Sequence, residues 1–199
     1  MKGVCQKFQN FNWQGHRIHG EWCSEVSDCE EKTAYNPNNR KAIASVKTSK
    51  AIVAKAVDVA YESKNKLLGL SFEDKIVYLK KLNSILGDSK KEIISAMRIE
   101  VGKAQWEAES DFIAARRYLT WVCENKDVIY RNLLAATSNY NVSGKLKLQP
   151  AGVVVAYFSF SSPITTFVSY MSSIIISGCS VVFFVPTQNI LFGSIIAGF

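Results

Sequence analysis

Five cysteines, two histidines and a run of serines are the residues in this chain whose chemistry could make it a catalyst or a metal binder. The cysteines, Cys5, Cys23, Cys29, Cys123 and Cys179, are odd in number and unevenly spaced. A reactive thiolate needs an electropositive, partly exposed setting, and Cys179, at the start of an apolar strand, should be packed away from one. His16, His19, Cys23 and Cys29 form a loose cluster. Structural zinc pairs place two thiols two to four residues apart; here the histidines precede the thiols and the gap from Cys23 to Cys29 is wider, so idle or buried thiols are the expectation. Ser161 and Ser162 could attack a carbonyl only with an imidazole in reach, and both histidines lie in the first twenty residues, which argues against a hydrolase.

The elements that would have to position such groups follow from periodicity. Residues 1–46 hold short runs broken by turn residues such as Asn36-Pro37-Asn38-Asn39, as short strands and loops do. Four amphipathic helices should follow. The first is capped by Ser49 and closed by Gly69. The second starts at Ser71, with Asp74 three residues on, and uses Ile76, Val77, Leu79, Leu82, Ile85 and Leu86 as its apolar face before Gly87 closes it. The third is capped by Asp88 and runs from Ser89 to Val101, and the fourth from Gln105 to Arg131. Asn139 to Gly144 is turn-rich and Lys145-Leu146-Lys147-Leu148 alternates as a half-exposed strand does, so a strand or hairpin is expected before the charge-free segment.

Leu148 to Phe199 contains no Asp, Glu, Lys, Arg or His. Gly152–Phe158 and Ser180–Val185 are β-branched and aromatic runs of strand length, separated by a helix-length stretch from Thr165 to Ser177 that Gly178 closes. Continuous apolar runs suit strands buried on both faces of a parallel sheet, and strand, helix, strand is a βαβ unit. The predicted class is α/β: an N-terminal part over residues 1–147 of short strands, helical layer and hairpin, then an incomplete nucleotide-binding βαβ segment over 148–199, the two forming one unit.

Charge and hydropathy exclude other classes. The net charge of +7 falls before Leu148, with basic and acidic residues interspersed, so no basic stripe for nucleic acid is present. A single membrane span over Phe167–Val185 is diluted by Ser169, Ser172, Ser173, Ser177 and Ser180 and has no flanking basic cluster. Unpaired cysteines without a leader peptide point to the cytoplasm.

The order of these pieces resembles the N-terminal half of the aldehyde dehydrogenase superfamily. Gly20-Glu21-Trp22, Asn36-Pro37, Glu100-Val101-Gly102-Lys103 followed by Glu107-Ala108, Pro150-Ala151-Gly152-Val153-Val154 and Ser177-Gly178-Cys179-Ser180-Val181-Val182 are each similar to a motif of that superfamily, in the same order. Trp106, between Lys103 and Glu107, is similar to the succinylglutamate semialdehyde dehydrogenase branch. The resemblance implies an incomplete aldehyde dehydrogenase fold with a Rossmann-like sheet, and an ancestral NAD(P)-dependent oxidation of an aldehyde to an acid through a Cys nucleophile, an Asn oxyanion donor and a Glu base.

It also implies where parts are missing. The oxyanion Asn position falls on Ser161 in Phe160-Ser161-Ser162-Pro163. The Lys that reaches the adenosine ribose falls at Phe184 or Val185, before Pro186. The cofactor positions are therefore Phe160, Ser161, Val185 and Pro186, in degenerate form, and NAD(P) is not expected to bind. The nucleophilic Cys and general-base Glu have no counterpart, and Cys179 matches a structural Asn at a strand start. The expectation is a chain inactive alone, its partner a full-length aldehyde dehydrogenase or a separately encoded C-terminal half.

Overall fold

A computed structural model describes residues 8, 11–24, 27–125, 129, 138–139, 142–143 and 149–199. Strands β1 (His16–Ile18) and β2 (Glu21–Cys23) pair antiparallel through a tight turn in which His19 and Gly20 both have positive φ, as a right-twisted hairpin requires. Strands β3 (Glu30–Tyr35) and β4 (Ala42–Thr48) form a second antiparallel pair whose register shifts between Ala34 and Tyr35. The intervening loop is held by its own side chains: the Asn38 and Lys41 N–H groups donate to the Asn36 and Asn39 side-chain oxygens at 2.9 and 3.0 Å.

Helices α1 (Lys50–Leu68), α2 (Phe72–Asp88), α3 (Lys90–Glu100) and α4 (Gln105–Glu124) follow. The Ile52 N–H donates to Ser49 Oγ at 3.3 Å, and Ser71 with Asp74 forms a reciprocal capping box. Because that box satisfies two otherwise orphaned groups, Ser71→Ala should lower stability by about 1 kcal/mol in urea denaturation.

Three boundaries differ from the periodicity reading. Gly87 lies inside α2, and a Cβ there would meet the Arg116 guanidinium at 3.2 Å, so glycine at this position leaves room for that side chain. The residue between α2 and α3 is accordingly Ser89 rather than Asp88, and it makes no side-chain cap bond. Helix α4 closes at Glu124, with the Asn125 amide on the Trp121 carbonyl; the rest of the expected extension to Arg131 lies outside the described residues except for Ile129. Val77, assigned to the apolar face, is exposed, because the buried stripe of α2 uses Ile76, Leu79 and Leu86 and Val77 is turned away from it.

Among the described residues, β5 (Ser138–Asn139) and β6 (Val142–Ser143) pair antiparallel, within the stretch read as a turn; the strand expected over 145–148 lies outside the described residues. The charge-free segment then folds as β7 (Val153–Tyr157), α5 (Pro163–Ser177) and β8 (Ser180–Phe184), followed by a short 3-10 turn (Thr187–Asn189) and α6 (Ile190–Ala197). β7 and β8 are parallel, in register from Val153 opposite Ser180 to Tyr157 opposite Phe184. Gly178, with φ of 76°, ends α5 in the left-handed cap that glycine favours.

The serines that dilute this segment are accommodated locally. Ser169, Ser172, Ser173 and Ser177 each donate to a carbonyl three or four residues earlier, so a serine-rich helix can be buried without unpaired hydroxyls. No described helix is long and apolar enough to cross a membrane.

One core joins the helical layer to the βαβ unit. Leu79, Leu86, Ile93, Met97, Phe112, Leu119, Ile164, Val168 and Phe192 are buried in a single cluster. Phe158, Phe167, Phe183 and Phe192 pack ring to ring at centroid separations of 5.0 to 6.4 Å, tying β7, α5, β8 and α6 together. The strands are not buried on both faces as their composition suggests. The face carrying Ala156 and Phe183 packs against α5, but Val155, Tyr157 and Phe184 on the other are 47, 63 and 46% exposed. Helix α1 also packs against both strands, so the sheet is left open only in part, toward the carboxyl ends of β7 and β8.

Candidate functional site

The βαβ unit brings two loops to the carboxyl ends of its strands, where ligands bind in open α/β sheets. The first loop, after β7, carries Phe160, Ser161 and Ser162; the second, after β8, carries Val185 and Pro186. Asn189 joins them: it is fully buried, and its Nδ2 donates to the Phe160 carbonyl at 3.2 Å. Its Oδ1 has no hydrogen-bond partner among the described residues.

The side chains predicted as site residues are placed as follows. Phe160 is exposed and contributes its carbonyl rather than its ring to the tie. Ser161 is exposed, with its Oγ 3.1 Å from Ser159 Oγ. A rotatable hydroxyl bonded to a neighbouring hydroxyl is not a fixed, aimed donor. Val185 turns toward α6 and packs against the main core; a Cβ on Gly193 would lie 2.7 Å from Val185 Cγ1, so glycine there permits the close approach. Val185 is thus partly buried against α6. Pro186 starts the 3-10 turn and accepts the Asn189 N–H at 2.9 Å. The two loops share one end of the sheet, yet neither residues 158–162 nor 184–191 include a cation for a diphosphate or a carboxylate for a ribose diol. The residues present do not fit the charged recognition of a dinucleotide.

The thiols and imidazoles are scattered. Cys179 is buried at the start of β8, where a strand-start packing residue belongs, and Cys123 is buried with its thiol pushed up by desolvation. Cys23 is half-buried, with Lys55 Nζ 3.7 Å from its sulfur, and His16 Nε2 lies 2.8 Å from the Lys47 carbonyl. No group of three or more potential metal ligands occurs among the described residues.

Periodicity reasoning missed the most perturbed group. Glu100, at the end of α3, is 4% exposed and accepts hydrogen bonds from the Leu191 and Phe192 backbone N–H groups, the latter at 3.0 Å. A carboxylate facing the first turn of a helix is favourably placed with respect to its dipole. Burial outweighs those two bonds and pushes the Glu100 carboxyl up to about 8. The signal was in the sequence: Ile93, Met97 and Glu100 fall on one helical face, so a carboxylate ends an apolar stripe.

Two sequence motifs also meet. Gly102 has φ of 77°, and a Cβ there would lie 3.1 Å from Pro37 Cγ, so the Glu-Val-Gly-Lys turn requires glycine to seat the Asn-Pro loop. Lys103 forms an ion pair with Asp111 on the next helix.

A helical layer leading into a parallel βαβ unit, with both loops at the strand carboxyl ends, is the opening of a dinucleotide-binding α/β fold. The chain belongs to the aldehyde dehydrogenase family, whose model matches residues 22–198. It is 25% identical over 127 residues to mouse mitochondrial succinate-semialdehyde dehydrogenase, covering 64% of this chain and 24% of that protein. Identity is 22% over 166 residues with the NADP-dependent succinate-semialdehyde dehydrogenase of Saccharomyces cerevisiae, covering 83% of this chain and 33% of that one. The chain therefore spans about a quarter to a third of the curated relatives it matches. Among solved structures, 1-pyrroline-5-carboxylate dehydrogenase from Thermus with bound NAD superposes with a TM-score of 0.81 at 19% identity, over 100% of this chain and 39% of that one. The NAD-dependent benzaldehyde dehydrogenase of Corynebacterium glutamicum gives 0.80 at 18%, over 96% and 41%.

Proposed function

We propose that this chain derives from an NAD(P)-dependent aldehyde-oxidising enzyme, supplies the helical layer and first βαβ unit of that fold, and does not itself turn over aldehydes. The observation that carries this is the strand-end crevice. Ser161, loosely bonded to Ser159, stands where the family resemblance calls for an aimed amide, and where it calls for a cation the chain has Phe184, exposed on the sheet face, or Val185, packed toward α6. Loss of one oxyanion donor alone costs about 10² to 10³ in rate. The test is reduced-nicotinamide formation by the purified 199-residue chain with NAD or NADP and an aldehyde panel that includes succinate semialdehyde. No signal above buffer is expected; turnover with either cofactor refutes the reading.

The open sheet face favours a second role, as a non-catalytic subunit. Val155, Tyr157 and Phe184 form an exposed apolar strip, with the Tyr157 and Phe184 rings 5.1 Å apart. The C-terminal portion of an aldehyde dehydrogenase carries sheet and helices of the kind that cover such a face. Sedimentation of this chain mixed with that portion should show a complex that Tyr157→Lys abolishes. Two separate boundaries with the unsubstituted chain would rule the role out.

A further inference from the structure

Asn189 stands at the N-cap of α6, the position whose side-chain oxygen ordinarily accepts the N–H of the second or third helical residue. Here it makes no such bond. Both of those N–H groups, on Leu191 and Phe192, go instead to Glu100 on α3, one to each carboxyl oxygen. Asn189 is fully buried, and its Oδ1 is left without a hydrogen-bond partner among the described residues while its Nδ2 donates to the Phe160 carbonyl at 3.2 Å. Helix α3 packs against both the 3-10 turn that ends in Asn189 and α6 itself.

Donor and acceptor inventories define the missing group. An ionised Glu100 only accepts, so it would set an anion beside the carboxamide oxygen and leave that oxygen unpaired. A neutral carboxyl keeps both N–H bonds and adds one O–H donor, which is what Asn189 Oδ1 lacks. Charges on the surrounding elements are engaged or turned outward. The turn and α6 contribute no Asp, Glu, Lys, Arg or His. On α2 the charged side chains are exposed except Lys75, whose Nζ donates to the Ile176 carbonyl at 3.4 Å. At the corner from α3 to α4, Lys103 pairs with Asp111, and Glu107 accepts the Ala104 N–H; further along α4, Glu109 is engaged by Gln105 and Arg116 by Asn83. Glu30, Glu31 and Lys32 of β3, which packs on the turn, are exposed, as are Lys90 and Lys91 of α3. Arg98 is half-buried two residues before Glu100 and therefore points to another side of the helix. Glu92, also half-buried, lies two turns away.

We infer that the Glu100 carboxyl is a hydrogen-bond donor whose proton rests on Asn189 Oδ1, completing a strap from α3 through Asn189 to the Phe160 carbonyl that fixes the first strand-end loop while the proton is present. Burial pushes that carboxyl up to about 8, so the strap is closed at neutral pH and opens as pH rises through that value. Loss of the proton to solvent leaves two acceptors facing each other, which separates Asn189 from Glu100 and frees the loop it holds. The strap concerns loop order and stands whether or not the chain turns over aldehydes.

The test is NMR of the isotope-labelled full chain from about pH 6 to 10. The Glu100 carboxyl carbon and the Asn189 carboxamide should titrate together near pH 8. Backbone amides of residues 158–162 should lose at least about tenfold in protection across the same range, after correction for the intrinsic pH dependence of exchange. Glu100→Gln carries an N–H donor in place of the O–H and cannot ionise, so the Asn189 carboxamide and the loop protection should become flat with pH. Asn189→Leu has the same branching and no polar atom. It should lower the proton affinity of Glu100 by about tenfold or more, because the neutral form loses its acceptor and the anion loses an opposing dipole; a carboxyl raised by desolvation alone would keep its midpoint or move up. The inference is overturned if Glu100 is ionised at the acid end of the range, if the Asn189 carboxamide stays flat while Glu100 titrates, or if Asn189→Leu leaves the midpoint unchanged or raised. Where Asn189→Leu does not fold, the joint titration in the parent decides.

Discussion

Phe112→Ala should cost about 3–5 kcal/mol of unfolding free energy, enough to leave much of the population unfolded at ambient temperature if the parent sits at the low end of the usual range of ~5–15 kcal/mol. Phe112 is 1% exposed, on the buried face of α4 within the cluster that also contains Leu79, Ile93, Met97 and Ile164. Truncation there removes the apolar contact and leaves a cavity among residues from α2, α3, α4 and α5, elements that cannot close on it together because each is anchored elsewhere in the same core. Urea denaturation followed by far-UV circular dichroism measures the loss. A change below about 1 kcal/mol would mean that the helical layer and the βαβ unit do not share one cooperative core. Trp106→Ala, at an exposed position of the same helix, should change stability by less than about 0.5 kcal/mol.

The second large effect is a dependence on pH carried by Glu100. Its folded pKa of about 8 lies above the ordinary carboxyl value of 4.5, so between those values the folded chain holds a proton that the unfolded chain has released. Stability contributed by this group is therefore full below about pH 4.5, declines as pH rises, and is lost once pH passes about 8. The slope of the decline approaches ~1.4 kcal/mol per pH unit for one proton. Glu100→Gln cannot ionise, which removes that slope. Its single carbonyl oxygen can serve one of the Leu191 and Phe192 N–H groups, and leaving the other unserved costs about 1–3 kcal/mol. The variant should be less stable than the parent near pH 6 and as stable or more so near pH 9. Parallel stability curves from pH 6 to 9 would show that the Glu100 carboxyl is not held protonated by burial.

Much of the fold was legible because its signals are local. Ser49 and Ser71 announce helix starts through side-chain bonds to groups three residues away, and Gly178 announces a stop through a left-handed φ. The β7–α5–β8 unit follows from β-branched runs on either side of a helix-length segment, and the family motifs place it in order. The errors came where local pattern and long-range contact disagree. Gly87 reads as a helix stop, yet α2 runs through it, and Arg116, far along the chain, occupies the space a side chain would need. Val77 reads as apolar face, yet α2 buries a narrower stripe than its hydrophobicity allows.

The candidate site divides the same way. By its residue types alone, the sequence determined that the strand-end loops carry no cation or carboxylate and that Ser161, with Phe184 or Val185, stands in the positions the family resemblance marks. Residue identity at an aligned position needs no coordinates. Only the tertiary structure decided that Val185 turns into α6, that Asn189 ties the second loop to the Phe160 carbonyl, and that Glu100 caps a helix that begins ninety residues later. Burial of a polar group depends on what the rest of the chain brings to it, and that is a property of contacts between distant residues, which periodicity does not encode.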